Sequence, residues 1–75
     1  MNSTLIRQRV NSDPSPFVLR LSDGTRVSVM HPDFVAVSPG QVLVIAPDES
    51  VTKIDPIHVV AIEEPPPAKR RPPEK

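Results

Sequence analysis

Two histidines stand near aspartates in this chain, and these pairs are the residues whose types and spacing could do chemistry. His31 precedes Asp33 by two positions, and His58 follows Asp55 by three. A histidine beside a carboxylate can transfer a proton, and both residue types ligate metal ions. The sequence has no cysteine, which removes thiolate zinc sites. We expect a corner histidine and a strand histidine, with no catalytic residue, no metal and no cofactor.

The serines and glycines lack the spacing that hydrolases and nucleotide-binding proteins use. No serine lies in a Gly-x-Ser-x-Gly sequence, and Gly24 and Gly40 are the only glycines, which is too few for a phosphate-binding loop. A domain of this size also has little room for a pocket of substrate dimensions. We predict that the protein is not an enzyme.

Charge is unevenly distributed along the chain, although the formal net charge is zero. Between positions 13 and 64, eight acidic residues stand against three basic ones, which gives this segment a charge of −5. Because nucleic-acid phosphates attract basic surfaces, any RNA contact is expected at the two ends of the chain. The candidate RNA contacts are Arg7, Arg9, Lys69, Arg70 and Arg71.

Residues 63–75 are rich in proline and carry the basic cluster Lys69-Arg70-Arg71. This composition cannot bury apolar surface, so we predict a disordered tail. The cluster has three possible roles: contact with nucleic acid, a proline-rich ligand for a partner, or a solubilising end. No two of these prolines are three positions apart, so the PxxP pattern is missing and the solvated end is favoured.

A short helix and a linker, together residues 1–16, are the first elements that position these side chains. The pattern from Thr4 to Val10 predicts a helix with Ser3 or Thr4 as N-cap and its apolar residues on one side. A helix this short must dock on the rest of the domain to be stable. Pro14 and Pro16 exclude regular structure after it.

From Phe17 the apolar period is two, which predicts a β-hairpin with its turn at Ser22-Asp23-Gly24. A two-residue turn would place Leu21 opposite Arg26. A three-residue turn with Gly24 left-handed instead pairs Leu21 with Thr25, so that the apolar pairs Leu19–Val27 and Phe17–Val29 share one face. This second register is predicted, because a slip of one residue would turn half of the apolar side chains to water.

Further strands are predicted at residues 34–38, 41–46, 51–54 and 57–62. The breaks between them are a type I turn or sharp corner at residues 31–34, a type II turn at Pro39-Gly40, a turn at residues 47–50 and Asp55-Pro56. Short strands with closely spaced turns favour a sandwich or barrel over a βαβ sheet. We predict an all-β fold over residues 17–62: a small five-stranded, strongly bent antiparallel sheet or Sm-like barrel, preceded by the short helix.

A chain of 75 residues buries only a modest share of its surface and is marginally stable alone. Without cysteines it has no disulfides, so tight packing or self-association must compensate. No apolar run approaches the length of a membrane span, and no apolar segment typical of a signal peptide opens the sequence. The expected location is cytoplasmic, without membrane contact.

The chain carries, in order, the segments FVLRLSDGTRV, HPDFVAVSP, VTKID and HVVAI. These resemble the DGR-like turn, the HPEF or HPDF corner and the "ID…I" ending of a family of small uncharacterised bacterial β proteins. The resemblance covers positions 17 to 62. Its motifs are turns and corners, and the family has no assigned activity, so it implies a fold and no chemistry.

A second resemblance is to the bacterial Sm-like RNA chaperones. Residues 5–10 look like the basic end of their N-terminal helix, and residues 17–29 look like their first hairpin. This resemblance implies RNA binding as an alternative function. Those proteins place a Lys-His pair at the uridine-binding pore between strands four and five, whereas Ile54-Asp55 stands there in this chain. An acid at that position disfavours contact with RNA phosphates.

The segment around Pro39-Gly40 is apolar on both of its predicted faces. If Ser38 pairs with Gln41, one face carries Val35, Val37, Val42 and Val44, and the other carries Phe34, Ala36, Leu43 and Ile45. An antiparallel hairpin usually has one face that is exposed to solvent and polar. Either the hairpin bends so that the domain covers both faces, or one face meets another chain. We take the four valines as the candidate interaction face.

The predicted function is therefore a non-catalytic binding module. Its partner is a protein or a second copy of the chain, and the alternative is Sm-like RNA binding through the basic ends.

Overall fold

The structure is a computed structural model, and it describes residues 1–64. These residues form one helix and six strands: α1 Ser3–Ser12, β1 Phe17–Leu21, β2 Arg26–Val29, β3 Val35–Ser38, β4 Gln41–Ile45, β5 Val51–Ile54 and β6 Val59–Glu63. A single 3-10 turn precedes β3 (the first corner, Pro32–Phe34), and another precedes β6 (the second corner, Pro56–His58). The mostly β fold with one short N-terminal helix is confirmed.

The strands form two three-stranded antiparallel sheets, with the order β2-β1-β6 in the first sheet and β3-β4-β5 in the second sheet. The prediction of one five-stranded sheet or a closed Sm-like barrel is therefore wrong. Pro32 and Pro56 give the physical reason, because proline has no N–H for the strand ladder and each corner ends one sheet before the other begins. Every segment predicted as extended forms a separate strand, which makes six.

Helix α1 docks on the sheets through one fully buried side chain, Ile6. Its N-cap is Asn2 rather than Ser3 or Thr4: the Asn2 Oδ1 accepts the Thr4 N–H at 2.8 Å. The asparagine side chain thereby satisfies a backbone donor that the first helical turn leaves free. The helix ends two residues before Pro14, as the linker prolines require.

The core lies between the two sheets and under the helix. Phe17 and Leu19 of β1 and Val42 and Val44 of β4 are at most 2 % exposed, and both sheets therefore present their central strand to the interior. The other buried side chains are Ile6, Val29, Ile54 and Val59.

The first hairpin has the predicted register, with Phe17 opposite Val29 and Leu19 opposite Val27. The Leu21 N–H donates to the Thr25 carbonyl at 2.8 Å, and Gly24 has a φ of 90°, which confirms the three-residue turn with a left-handed glycine. The Asp23 Oδ1 accepts the Thr25 N–H at 2.9 Å and closes the turn.

The second hairpin, β4–β5, repeats this turn with different residues. The Ala46 N–H donates to the Ser50 carbonyl at 2.9 Å, and the Asp48 Oδ1 accepts the Ser50 N–H at 3.0 Å. Glu49 occupies the position of Gly24 with a φ of 71°. Few non-glycine residues adopt this left-handed region, so this turn carries conformational strain that the first turn lacks.

The two corners also repeat. At the first corner the His31 Nδ1 accepts the Asp33 N–H at 3.1 Å, and at the second corner the Asp55 Oδ1 accepts the Ile57 N–H at 3.1 Å. In both corners proline follows the capping residue directly. Residues 17–38 (the first half) and 41–63 (the second half) thus each contain a hairpin, a corner and a third strand, and each third strand joins the other half's sheet.

The halves meet at a tight link between β3 and β4. Ser38 pairs with Gln41 as predicted, which places the four valines on one face. The predicted type II turn is wrong, because Gly40 does not have the positive φ that this turn needs at its third position.

The remaining sequence predictions concern the C-terminal tail and membrane contact. The predicted disordered tail lies outside the described residues, apart from residues 63 and 64. Strand β6 ends at Glu63, one residue beyond the predicted end of the last strand. Among residues 1–64, no helix has both the length and the apolar composition needed to cross a bilayer.

Candidate interaction surface

The four valines proposed as an interaction face point into the domain. Val42 is fully buried and Val44 is 2 % exposed, while Val35 and Val37 are half-buried against the same core. Val42 and Val44 are not available to a partner, because they lie in the core between the sheets, and for these two the assignment to an interaction face is corrected. Val35 and Val37 line a groove beside α1, and for them the assignment stays a prediction.

The opposite face of the second sheet is open. Ile45 pairs with Val51, and extending the β3–β4 register by one residue places Phe34 beside Ile45, so these three side chains form one row across the sheet. Phe34 is 43 % exposed, Ile45 39 % and Val51 60 %. We call this row, with Ala36 and Leu43 in the next row, the outer apolar face; the exposed Lys53, which pairs with Leu43, stands at the edge of that next row.

A groove of about 460 Å³ lies along the row. The apolar part of its lining is Phe34, Ile45, Val51, Ala46 and Pro47, and the acidic part is Asp33 and Glu49. The neighbouring Asp48 accepts hydrogen bonds from the Ser50 hydroxyl and N–H, which lower the pKa of Asp48 and keep its carboxylate ionised. We call Asp33, Asp48 and Glu49 the acidic rim.

The same two positions on the first sheet carry charge instead. Counted from the two repeated turns, Arg20 is equivalent to Ile45, and Arg26 is equivalent to Val51. Both arginines contact Glu63: Arg26 Nε lies 2.8 Å from its Oε1, and Arg20 Nε lies 3.7 Å from its Oε2. One sheet therefore presents paired charges to solvent where the other presents apolar side chains.

The other exposed large apolar side chains belong to different elements of the chain. They are Leu5 in the helix, Met30 after β2, Ile57 in the second corner and Val60 in β6. Single exposed apolar residues are common on any protein surface, whereas a row rimmed by polar groups marks a contact site. The alternation of residues along the strands predicted that one face carries Phe34, Ala36, Leu43 and Ile45. No feature of the sequence showed which of the two faces the core would cover.

The predicted RNA contacts in the described part of the chain have structural roles. Arg7 Nη2 donates to the Val37 carbonyl at 2.7 Å, on the strand edge of β3 that the helix covers. The Arg9 guanidinium lies 4.5 Å from the centre of the Phe17 ring, a cation–π contact, and its side chain is only 10 % exposed. The other predicted contacts, Lys69, Arg70 and Arg71, lie outside the described residues.

Arg9 also fixes the last described residue. Its Nε and Nη2 donate to both carboxylate oxygens of Glu64 at 2.6 and 2.8 Å, and it donates further hydrogen bonds to the carbonyls of Asp13 and Ser15. The paired guanidinium lowers the pKa of Glu64 through this hydrogen bond. Arg9 therefore joins the helix, the linker and the end of β6, and little of it is left for a phosphate.

His58 ends the second corner and does not lie in a strand as predicted. Its Nδ1 lies 3.5 Å from the Ser22 Oγ. The nearby acids Asp23 and Asp55 each accept a backbone N–H, in a turn and in a corner. Within residues 1–64, no three histidine or acidic side chains are grouped so that they could hold a metal ion.

A cavity of about 580 Å³ lies beside the start of α1. Three of the polar side chains in its wall bind the backbone: Asn2 and Asp55 cap the helix and the second corner, and Arg7 binds the Val37 carbonyl. The outer apolar face, by contrast, is a row of exposed apolar side chains along a groove, and we take it as the candidate site.

Comparisons of the chain with protein-family models, with curated proteins and with solved structures find no match.

Proposed function

We propose that this protein is a non-catalytic protein-interaction module that binds its partner on the outer apolar face of the second sheet. One observation carries the proposal: Ile45 and Val51 are exposed at the positions where the equivalent residues of the first sheet are Arg20 and Arg26. The fold therefore tolerates charge at these positions, and packing does not require the apolar side chains there.

The chemistry of the surface defines the partner. Burial of the row on binding gains about 25 cal/mol for each Å² of apolar area removed from water. The acidic rim disfavours an acidic partner and a symmetric contact between two such faces, because like charges would be brought together. A basic protein segment with apolar side chains fits best. The face is small, which suits a transient contact.

The test is site-specific photocrosslinking in the native cell. The photoreactive amino acid p-benzoylphenylalanine replaces Phe34 on the outer apolar face or, as the matched control, Val60 on β6 of the first sheet, which is also exposed. We expect a discrete intermolecular product from position 34 and none from position 60. The additional change Val51→Arg gives the second sheet the residue type of the first and should abolish the product, whereas Val60→Arg should not.

Two results would contradict the proposal: equal products from both positions, or a product from position 34 that survives Val51→Arg. Mass measurement by light scattering identifies one class of partner directly, since a second copy doubles the mass of the wild type but not of the Val51→Arg variant. A cytoplasmic location and the alternative of Sm-like RNA binding stay predictions.

A further inference from the structure

We propose that the chain's own basic segment, Lys69-Arg70-Arg71, folds back onto the outer apolar face, so that the interaction surface is covered by its own C-terminal residues. This inference rests on the proposed function in using the same surface. It adds a regulatory consequence, because a partner must displace residues 65–75 in order to bind.

Charge complementarity within the chain is the first argument. Residues 1–64 contain eight acidic and five basic residues, a formal charge of −3, whereas residues 65–75 contain four basic residues and one acid, a charge of +3. Three of the four arginines in residues 1–64, Arg9, Arg20 and Arg26, contact Glu63 or Glu64 beside the first sheet. The acidic rim, at the end of the second sheet, carries three carboxylates and attracts added positive charge.

The position from which the segment leaves is the second argument. Glu63 pairs with Val18, and Glu64 is fixed by Arg9, so the chain leaves the first sheet at the end where β1 begins. Val29, opposite Phe17, lies at the same end, and β2 leads from there into the first corner and Phe34. Strands β2 and β6 flank β1 and are therefore about 10 Å apart. Asp33, in the first corner, is four residues beyond Val29. Six residues of extended chain from Glu64 to Arg70 reach about 20 Å, which is of the same order as this separation.

The composition of the segment suits the groove. Its prolines have no N–H and leave no backbone donor unsatisfied when they lie on an apolar surface. An arginine can place its planar guanidinium over the Phe34 ring while its charge faces the rim. A covalent link of a few residues supplies an effective concentration in the millimolar range, so a weak contact is sufficient.

Paramagnetic relaxation enhancement in the full-length chain tests this contact. The sequence has no cysteine, so Ala68→Cys gives a single site for a nitroxide spin label. In a chain without docking, the label should broaden the methyl signals of Val60, in the strand that leads to it, more than those of Val51. With docking the order reverses, and we expect the strongest broadening at Val51 and Ile45.

Salt and charge variants complete the test. Raising the ionic strength from 0.01 M to 1 M shortens the Debye length from about 30 Å to about 3 Å and should remove the broadening at Val51. The triple change Lys69→Gln, Arg70→Gln and Arg71→Gln should do the same at low salt, and Lys75→Gln is the control that should not. Broadening that is strongest at Val60, or that is unchanged by salt and by the triple variant, overturns the inference.

A mixed sample separates the chain's own tail from that of a second copy. One population carries the isotope label and no spin label, and the other carries the spin label only. Broadening at Val51 in this mixture assigns the contact to a second copy and overturns the inference as stated; its absence supports it. The proposed function is judged separately, because the photocrosslink from position 34 to a partner stands or falls independently of this broadening.

Discussion

The two halves of the molecule build the same backbone from different residues. Each contains a hairpin closed by an Asp-capped turn and a corner in which proline follows a capping side chain. Their buried positions correspond as well, and all are apolar: Phe17 with Val42, Leu19 with Val44, and Val29 with Ile54. What differs is the outside of each sheet, which carries ion pairs in the first and the outer apolar face in the second. The fold thus constrains the interior and the turns, and leaves the outer faces free for function.

The third strands of the two halves, β3 and β6, pair differently, and this limits the similarity between the halves. Strand β3 pairs with β4 without interruption from Val35 to Ser38, whereas β6 pairs with β1 through a bulge between Arg20 and Leu21. A bulge shifts register and adds twist. It also sets where Glu63 falls, opposite Val18 and beside the two arginines of the first sheet.

The largest expected effect tests whether the buried positions of the two halves are equivalent. Leu19→Asp and Val44→Asp each place an unpaired carboxylate where the side chain is at most 2 % exposed, so each should cost several kcal/mol and unfold the domain. Ile45→Asp, one residue from Val44 on the outer apolar face, is the control and should remain folded. Circular dichroism and heat-capacity scans measure all three. A folded Val44→Asp variant with unchanged melting would contradict the placement of this face in the core.

A smaller effect of opposite sign is expected at the two turns. A Cβ at Gly24 would meet open space, so the cost of Gly24→Val is that of a β-branched residue at positive φ, on the order of 1–3 kcal/mol. Glu49→Gly relieves a left-handed strain of roughly 1–2 kcal/mol but adds glycine's entropy in the unfolded chain, for a net gain of about 0.5–1 kcal/mol. Denaturant titrations measure both changes. If both variants lose stability, the two turns are not equivalent.

The local features of this fold were predictable because they depend on neighbouring residues. The alternation from Phe17 and the Asp-Gly dipeptide fixed the first register, since a slip would have exposed the apolar set. The matching turn at Asp48 was harder to identify, because Glu49 gives no signal of a left-handed residue. The likeness between His31-Pro32 and Asp55-Pro56 was visible in the sequence, but histidine and aspartate share only the ability to accept a backbone N–H.

The arrangement of the sheets and the site were not predictable for a different reason. Whether Val44 or Ile45 faces the interior depends on which side of the hairpin the helix and the other sheet occupy, and both faces are apolar. The contact between Arg9 and Glu64 joins residues that are 55 positions apart in the sequence. A basic residue near a chain end suggested RNA, whereas tertiary contacts place it over Phe17 and against Glu64.

The smallest expected effect concerns acidic side chains whose pKa is lowered. It compares Glu63, on the charged outside of the first sheet, with the aspartates that cap the turns of both halves. The hydrogen bond and charge of Arg26, with the charge of Arg20, lower the pKa of Glu63 below its ordinary value of 4.5. Hydrogen bonds from Thr25 and Ser50 lower the pKa of Asp23 and Asp48 in the two turns. The shift of Glu63 comes from charged partners, whereas the shift of Asp48 comes from hydrogen bonds to the neutral Ser50, so salt can separate these two effects.

A carboxylate with a lowered pKa in the folded state stabilises the fold above its ordinary pKa, and this contribution is lost as the pH falls through the lowered value. The stability of the wild type should therefore decrease below about pH 4.5, the ordinary pKa of the Glu63 carboxyl. Glu63→Gln should make this decrease shallower at low salt and reduce the difference in stability between low and high salt. Asp48→Asn, the control from the second half, should make it shallower by an amount that salt does not change, because its partner is the neutral Ser50. Thermal melts from pH 2.5 to pH 7 at two salt concentrations measure both variants. If 1 M salt leaves the difference in stability between the wild type and Glu63→Gln intact, the ion pairs do not stabilise the first sheet. The two outer faces would then not differ in their electrostatic contribution to stability.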